Sequence, residues 1–476
     1  MRNAWSGHTF PHPSGRRRWM KDAASMDPDR PVQYILEHHR GLGPIFEIVV
    51  FGQKFVFVTD AELAAELNDE SRFAKANSPA LDGLRGIAGD GLFTAYNEEP
   101  NWQLAHDLLV PAFTKQAMQR YHPVMAETLD ELFAVWDAGD GRIDVSSDMT
   151  RLTLETIGRT GFSTPFGSFT TSEVHPFVSA MVTALTLGRR KGVIAALPAA
   201  RLLERRLDRK HADQLDYVRT FLDDIVAGRR RTGSEGSDDL LGIMLDQAHP
   251  ETGERLSDEN IRYQILTFLV AGHETTSGAL SFASYYLVRH PDVLAKAQAE
   301  TDAILGDDPD ATPSYEQVAR FRYLRKVLDE SLRLWPTAPG YARTPRQTTL
   351  LGGRWTMTPD DWALVFLPLV QRDPKVWGED AEAFDPERPR PRLAGTAKPF
   401  GTGERACIGR QFAVHEATMA LARILHRYDI AGDPSYALRI DERLTLMPEG
   451  MEITLTRRTP SVRTVGAVPS DTPADG

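Results

Sequence analysis

A single cysteine, Cys407, stands among 476 residues. One thiol excludes an internal disulfide framework and fits a reducing cytoplasm. Also absent is an apolar run long enough for a secretory signal or membrane anchor: Met1 to Lys21 offers Arg16, Arg17 and Arg18 but no such stretch. There is no basic excess either. Lys and Arg total 55 against 66 Asp and Glu, and the net charge of −11 argues against nucleic acid as a partner. No internal repeats occur. What remains is ordinary for a soluble globular protein, with 41% apolar and 25% charged residues and a length that suggests about three domains on the soft prior.

The most informative stretch surrounds the cysteine: Phe400-Gly401-Thr402-Gly403-Glu404-Arg405-Ala406-Cys407-Ile408-Gly409, ahead of a helical run from Arg410 to Tyr428. A lone cysteine is usually an inert buried hydrophobe. This one lies in a glycine-rich turn whose N–H groups can aim at sulfur, with the positive end of a helix beside it. Such a loop suits a thiolate that ligates haem iron: the glycines let backbone pass under a flat ring, Arg405 can meet a propionate, and Phe400 can shield the sulfur. The run Gly401 to Ala406 also fits the dinucleotide pattern G-x-G-x-x-A, but the preceding Pro389 to Pro399 is no strand, so that reading fails.

Phe400-x-x-Gly403-x-Arg405-x-Cys407-x-Gly409 resembles the haem-binding signature of the cytochromes P450, the haem-thiolate monooxygenases. The resemblance covers about residues 27 to 456. It implies a mainly α fold with a small β-rich lobe, haem b bound through an axial thiolate on iron, and use of O2. Two electrons would come from a ferredoxin, flavodoxin or flavin reductase outside this chain. Residues 1–26 read as an irregular segment, 27–458 as one catalytic domain, and 459–476 as a disordered, linker-like tail with no reductase after it. With no anchor, the resemblance is to soluble, bacterial-type, cytoplasmic members.

Along the chain, Val32 to His39 reads as a short helix, and Ile45–Val50 with Lys54–Thr59 as a hairpin. From Ala61 to about Trp335 the pattern is mostly helical, with Gly228 to Asp239 an exposed loop. Ala363–Leu369, Leu444–Leu446 and Glu452–Leu455 read as strands.

Three constellations carry chemistry. A helix from about Ser257 to Arg289, spanning roughly 50 Å, contains Ala271-Gly272-His273-Glu274-Thr275-Thr276. A mid-helix threonine ordinarily donates to the carbonyl four residues back, here Ala271. His273-Glu274 does not begin a zinc motif, because position 277 is Ser. Beside a thiolate haem, Glu274 and Thr275 are similar to the family's acid–alcohol pair, which implies Thr275 for oxygen activation and Glu274 for proton relay. Glu330 and Arg333, at i and i+3, resemble the E-x-x-R element that Arg388 would complete as a structural network. Trp102 and His106, at i and i+4, read alone as a half-buried surface pair. The resemblance makes them propionate donors with Arg405, and adds Lys75 and Arg343.

Several runs look closest to the bacterial fatty-acid hydroxylases whose haem domain is fused to a flavin reductase. That likeness implies a substrate channel lined by Leu81, Leu84, Ala88, Phe93, Leu185, Ala271, Ala338 and Leu444. Where those enzymes hold a carboxylate with Arg and Tyr, this chain has Gln53 and Phe57, so an apolar or amphipathic small molecule is expected. Arg189, Arg190 and Lys191 would compensate only by folding over the entrance. Two rival readings stand beside the monooxygenase: a peroxide-driven peroxygenase, against which the Glu274–Thr275 pair argues, and a non-enzymatic haem sensor or carrier.

Overall fold

The computed structural model describes residues 5, 7–14, 16, 22, 27, 29–39, 41–171, 173–195, 197, 199–233, 238–389 and 398–459. The expected tail beyond 459 lies outside them. Helix α1 (Pro31–His38) precedes strands β1 (Ile45–Val50) and β2 (Gln53–Val58), then α2 (Ala61–Leu67), β3 (Phe73–Ala76), α3 (Pro79–Ala88), α4 (Pro100–Leu109) and α5 (Lys115–Ala138). After β4 (Arg142–Asp144) come α6 (Val145–Phe162), α7 (Pro176–Ile194), α8 (Ala200–Lys210), α9 (Ala212–Thr232), α10 (Leu240–Asp246) and α11 (Asp258–Arg289). Next follow α12 (Pro291–Leu305), α13 (Tyr315–Val318), α14 (Arg322–Leu334), β5 (Gly340–Pro345), β6 (Thr349–Leu351), β7 (Trp355–Met357) and β8 (Ala363–Phe366). The chain closes with α15 (Leu367–Val370), α16 (Pro374–Trp377), α17 (Arg410–Arg427), β9 (Tyr428–Gly432), β10 (Ile440–Glu442), β11 (Leu446–Pro448) and β12 (Glu452–Arg457).

Helices therefore dominate, as expected, and the β lobe is small. Its main sheet has the order β1-β2-β8-β5-β3. The expected hairpin pairs Ile45 with Val58, β8 joins β2 in parallel, and β3 pairs with β5 so that Lys75 lies opposite Arg343. That register brings two cations named from sequence onto one sheet edge.

Helix α11 is central. The Ser257 hydroxyl accepts the Asn260 N–H, Asp258 and Glu259 complement the dipole in the first turn, and Pro291 begins the next helix. Helices α6, α14 and α17 pack around it. Over one side, α3 and α7 meet with no side chain between them. A Cβ on Gly83 would run into the Gly188 carbonyl, and one on Gly192 into that of Pro79.

Two sequence expectations are corrected. Arg229, Arg230 and Arg231 do not lie in an exposed loop but close α9, because Arg229 is buried and donates to Asp239 (Nη1–Oδ1 2.8 Å). The strand begun at Ala363 ends at Phe366, and Leu367–Val370 turns into helix at Pro368, which has no N–H for a ladder. In the N-terminal stretch, Trp5 and Phe10 are buried against the β lobe, the Trp5 indole donating to the Trp362 carbonyl at 2.8 Å.

Candidate active site

Gly401 (φ +69°) and Gly403 (φ +66°) put the loop before α17 into left-handed backbone, where a side chain would be strained. The Cys407 N–H donates to the Phe400 carbonyl at 2.8 Å, closing the loop so that Cys407 is exposed just before the helix. The surrounding protein still desolvates the sulfur. That burial pushes the thiol up, against the Gly409 N–H and the Arg410 charge, which favour thiolate. Protein groups alone leave it protonated; a bound metal cation would deprotonate it.

Halfway along α11, between buried Val270 and buried His273, Ala271 is exposed and Gly272 and Thr275 are partly so. The Thr275 hydroxyl donates to the Ala271 carbonyl at 2.7 Å, the ordinary mid-helix bond. Glu274 turns another way. Its Oε2 accepts from the Thr445 hydroxyl at 3.2 Å and its Oε1 has no partner. Burial pushes this carboxyl up to about 7, with Arg443 and Thr445 opposing. The acid and the alcohol are thus adjacent in sequence but bonded to different elements.

Phe93 follows α3 and is 48% exposed. Lys75 Nζ donates to the carbonyls of Phe93 and Ala95 (2.5 and 2.9 Å), and Asn77 donates to that of Thr94 (2.7 Å), so Lys75 shapes the turn that presents Phe93. Burial, then the nearby Arg405 and Arg85, lower Lys75 to about 7. Of the other channel candidates, Ala338 is exposed, Leu81 and Leu444 are partly buried, and Leu84, Ala88 and Leu185 are core residues.

Lys75, Trp102, Arg343 and Arg405 line one cavity of about 220 Å³. The Arg405 guanidinium lies 3.8 Å over the Trp102 ring, and His106 stacks on the same ring at 4.9 Å without lining the cavity. Arg343 donates to Thr402 of the cysteine loop at 2.9 Å. Arg405 Nη1 and Arg343 Nε are buried without a hydrogen-bond partner. Desolvation lowers Arg405 to about 10.

A family model described as Cytochrome P450 matches residues 17–455. The chain belongs to the cytochrome P450 family. It is 43% identical over 438 residues to a bifunctional cytochrome P450/NADPH–P450 reductase of Bacillus subtilis (strain 168), covering 91% of this chain and 41% of that protein. A similar bifunctional protein of Bacillus cereus is 41% identical over 439 residues, with coverage of 91% and 41%. A self-sufficient cytochrome P450 monooxygenase of Aspergillus niger is 41% identical over 447 residues, covering 90% of this chain and 40% of its own. The chain thus spans about two fifths of the length of these relatives.

P450s use haem held by an axial cysteine thiolate. The residues present fit that group: an accessible thiol with an N–H donor at its sulfur, and two buried cationic nitrogens still lacking acceptors. The E-x-x-R element supports the loop from behind. Arg333 holds Glu330 through two bonds of 2.7 Å and donates to the carbonyls of Gln371, Ala381 and Ala383. Arg388 stands 3.5 Å from Glu330, but its own carboxylate hydrogen bond goes to Asp380 at 2.8 Å. Gln371, in turn, accepts the Lys398 N–H at 3.1 Å, tying this P450's network to the cysteine loop.

Sequence reading missed Asp380, Gln371 and Glu416. Glu416, on α17 nine residues after Cys407, is fully buried with both carboxylate oxygens unpaired, and burial pushes it up to about 8. The available signal was a glutamate on the apolar face of the cysteine helix. No helix among the described residues is long and apolar enough to cross a membrane.

Proposed function

We propose that this P450 is a monooxygenase that inserts one oxygen atom of O2 into a C–H bond of an apolar or amphipathic organic molecule. Two electrons come from a ferredoxin, flavodoxin or flavin reductase, and the catalytic domain spans 27–458 in the cytoplasm. The observation that carries the reading is the pair of openings in an otherwise packed interior, at Cys407 and at Ala271–Thr275. Haem, when bound, supplies the activation of oxygen and its transfer to carbon. Cys407 is the residue to hold its iron, with the Gly409 N–H on the sulfur. Arg405 and Arg343 are placed to take its propionates through their unpaired nitrogens, with Trp102 and His106 stacked beside Arg405. Thr275 offers a hydroxyl that can pass a proton on, and Glu274, titrating near 7, can hold or release one at neutral pH. Phe93 limits which carbon approaches.

The mouth offers no free cation for a carboxylate. Gln53 Nε2 donates to the Gly192 carbonyl at 3.3 Å, and Phe57 is buried and stacked on Phe46. Arg189, Arg190 and Lys191 are helical residues of α7 rather than a folding loop. Arg190 pairs with Asp29 at 3.1 Å, Arg189 lies 3.9 Å from the same carboxylate, and Lys191 pairs with Asp208. A long-chain fatty acid and its methyl ester, each titrated against the haem spin-state change, should therefore bind alike. Binding of the free acid more than tenfold tighter would overturn the neutral mouth. Product formed with NADPH and a surrogate reductase tests the reaction itself; turnover with hydrogen peroxide alone would favour the peroxygenase.

A further inference from the structure

Helix α8 is a cationic surface on an acidic chain. Among its residues Ala200–Lys210 it carries Arg201, Arg205, Arg206, Arg209 and Lys210 against two acids, whereas the whole chain has a net charge of −11. Helical geometry sorts them. At about 100° per residue, Ala200, Glu204, Leu207 and Asp208 share one face, and these are the buried or half-buried residues. Asp208 is further neutralised by Lys191 of α7. The opposite face presents Leu202, Leu203, Arg205, Arg206, Arg209 and Lys210, all exposed. None of the five cations forms an ion pair among the described residues. In the middle of this face Leu202 is 66% exposed, and Leu203 beside it 37%.

Solvation explains the arginines but not the leucines. A phosphate backbone would also engage the cations and leave the leucines in water. An anionic bilayer uses both, since headgroups take the guanidinium groups while leucines enter the boundary with the acyl chains. An 11-residue helix is roughly 16 Å long, too short to span, so it would lie in the interface. We propose that α8 docks this protein onto an anionic lipid surface. Because α8 follows α7, whose seam with α3 covers one side of the interior, a sparingly soluble substrate would enter from the lipid side. That last step rests on the substrate reading above; the docking does not.

The test is flotation of the full-length holoprotein with vesicles of phosphatidylcholine and with vesicles that also contain phosphatidylglycerol. Binding is expected only to the second kind, and raised salt should release it. Each cation at a headgroup surface is worth about fivefold in affinity, so reversing Arg205→Glu and Arg206→Glu together should weaken binding by at least 25-fold. Leu202→Ser with Leu203→Ser should weaken it about tenfold at unchanged charge. The haem spectrum of each variant reports folding, since none of these residues approaches the cysteine loop. Equal binding to neutral vesicles, no binding to anionic ones, or indifference to the leucine pair would overturn the proposal. Retention on immobilised polyglutamate without vesicle binding would assign the face to an acidic protein instead, and would equally overturn it.

Discussion

Replacing Glu330 by alanine removes the carboxylate that two guanidiniums and a backbone N–H converge on. Arg333 would lose both bonds of 2.7 Å and Asp385 N–H its acceptor at 3.0 Å, while Arg388 would lose the charge 3.5 Å from its Nε. Arg333 is almost wholly buried, so water cannot replace the lost partner. Three carbonyls still hold its Nη atoms, but no negative charge remains beside them. Breaking a buried pair from one side costs about 3–5 kcal/mol, against a total stability of about 5–15 kcal/mol. For 476 residues the unfolding entropy is about 1 kcal/mol/K, so the melting temperature should fall by about 3–5 °C. Haem content should fall further, because Gln371 loses its fixed neighbour and, with it, the grip on Lys398. Calorimetry and the haem-to-protein absorbance ratio measure both. A haem-replete Glu330→Ala protein melting within 1 °C of wild type would refute the reasoning.

Four further outcomes are expected. Cys407→His should lose the long-wavelength Soret band of the reduced carbon-monoxide complex; its retention would remove Cys407 as ligand. Thr275→Ala should keep its haem but form less product per NADPH and more peroxide, measured with a surrogate reductase. Glu274 is raised from 4.5 to about 7 in the folded state, so the native protein binds more protons than the unfolded chain across that window. Stability should therefore fall by about 3 kcal/mol as pH rises from 4.5 to 7, and Glu274→Gln should flatten that part of the melting-temperature profile; parallel profiles would count against it. Phe93→Ala should shift the position of oxidation, read by product chromatography.

What was legible in the sequence was local. The loop Phe400–Gly409, the Ala271–Thr275 stretch and the Glu330–Arg333 pair are each defined by spacing along one element, and each lies where the spacing implied. Lys75 and Arg343 came only with the family resemblance, and strand register explains their meeting. The missed residues depend on contacts no local pattern encodes. Asp380 reaches Arg388 across a turn, Gln371 reaches back to α14 and forward to Lys398, and Trp5 docks on Trp362 from 357 residues away. Arg229 read as loop because it sits in a run of three arginines; Asp239, ten residues on, makes it core.

The contact of α3 with α7 at Gly83, Gly188 and Gly192 has no rotamers. Elsewhere in the wall a changed side chain can swing aside and leave its helix where it was. At these three positions nothing can swing, so a single added methyl is passed on whole, as a displacement of α7 and of α8 with it. The chain thus has two adjustments for the size of what it admits. Phe93 trims the space carbon by carbon, whereas the glycines set how far the cover stands from the floor. One atom there is the smallest step available, and it moves the entire cover.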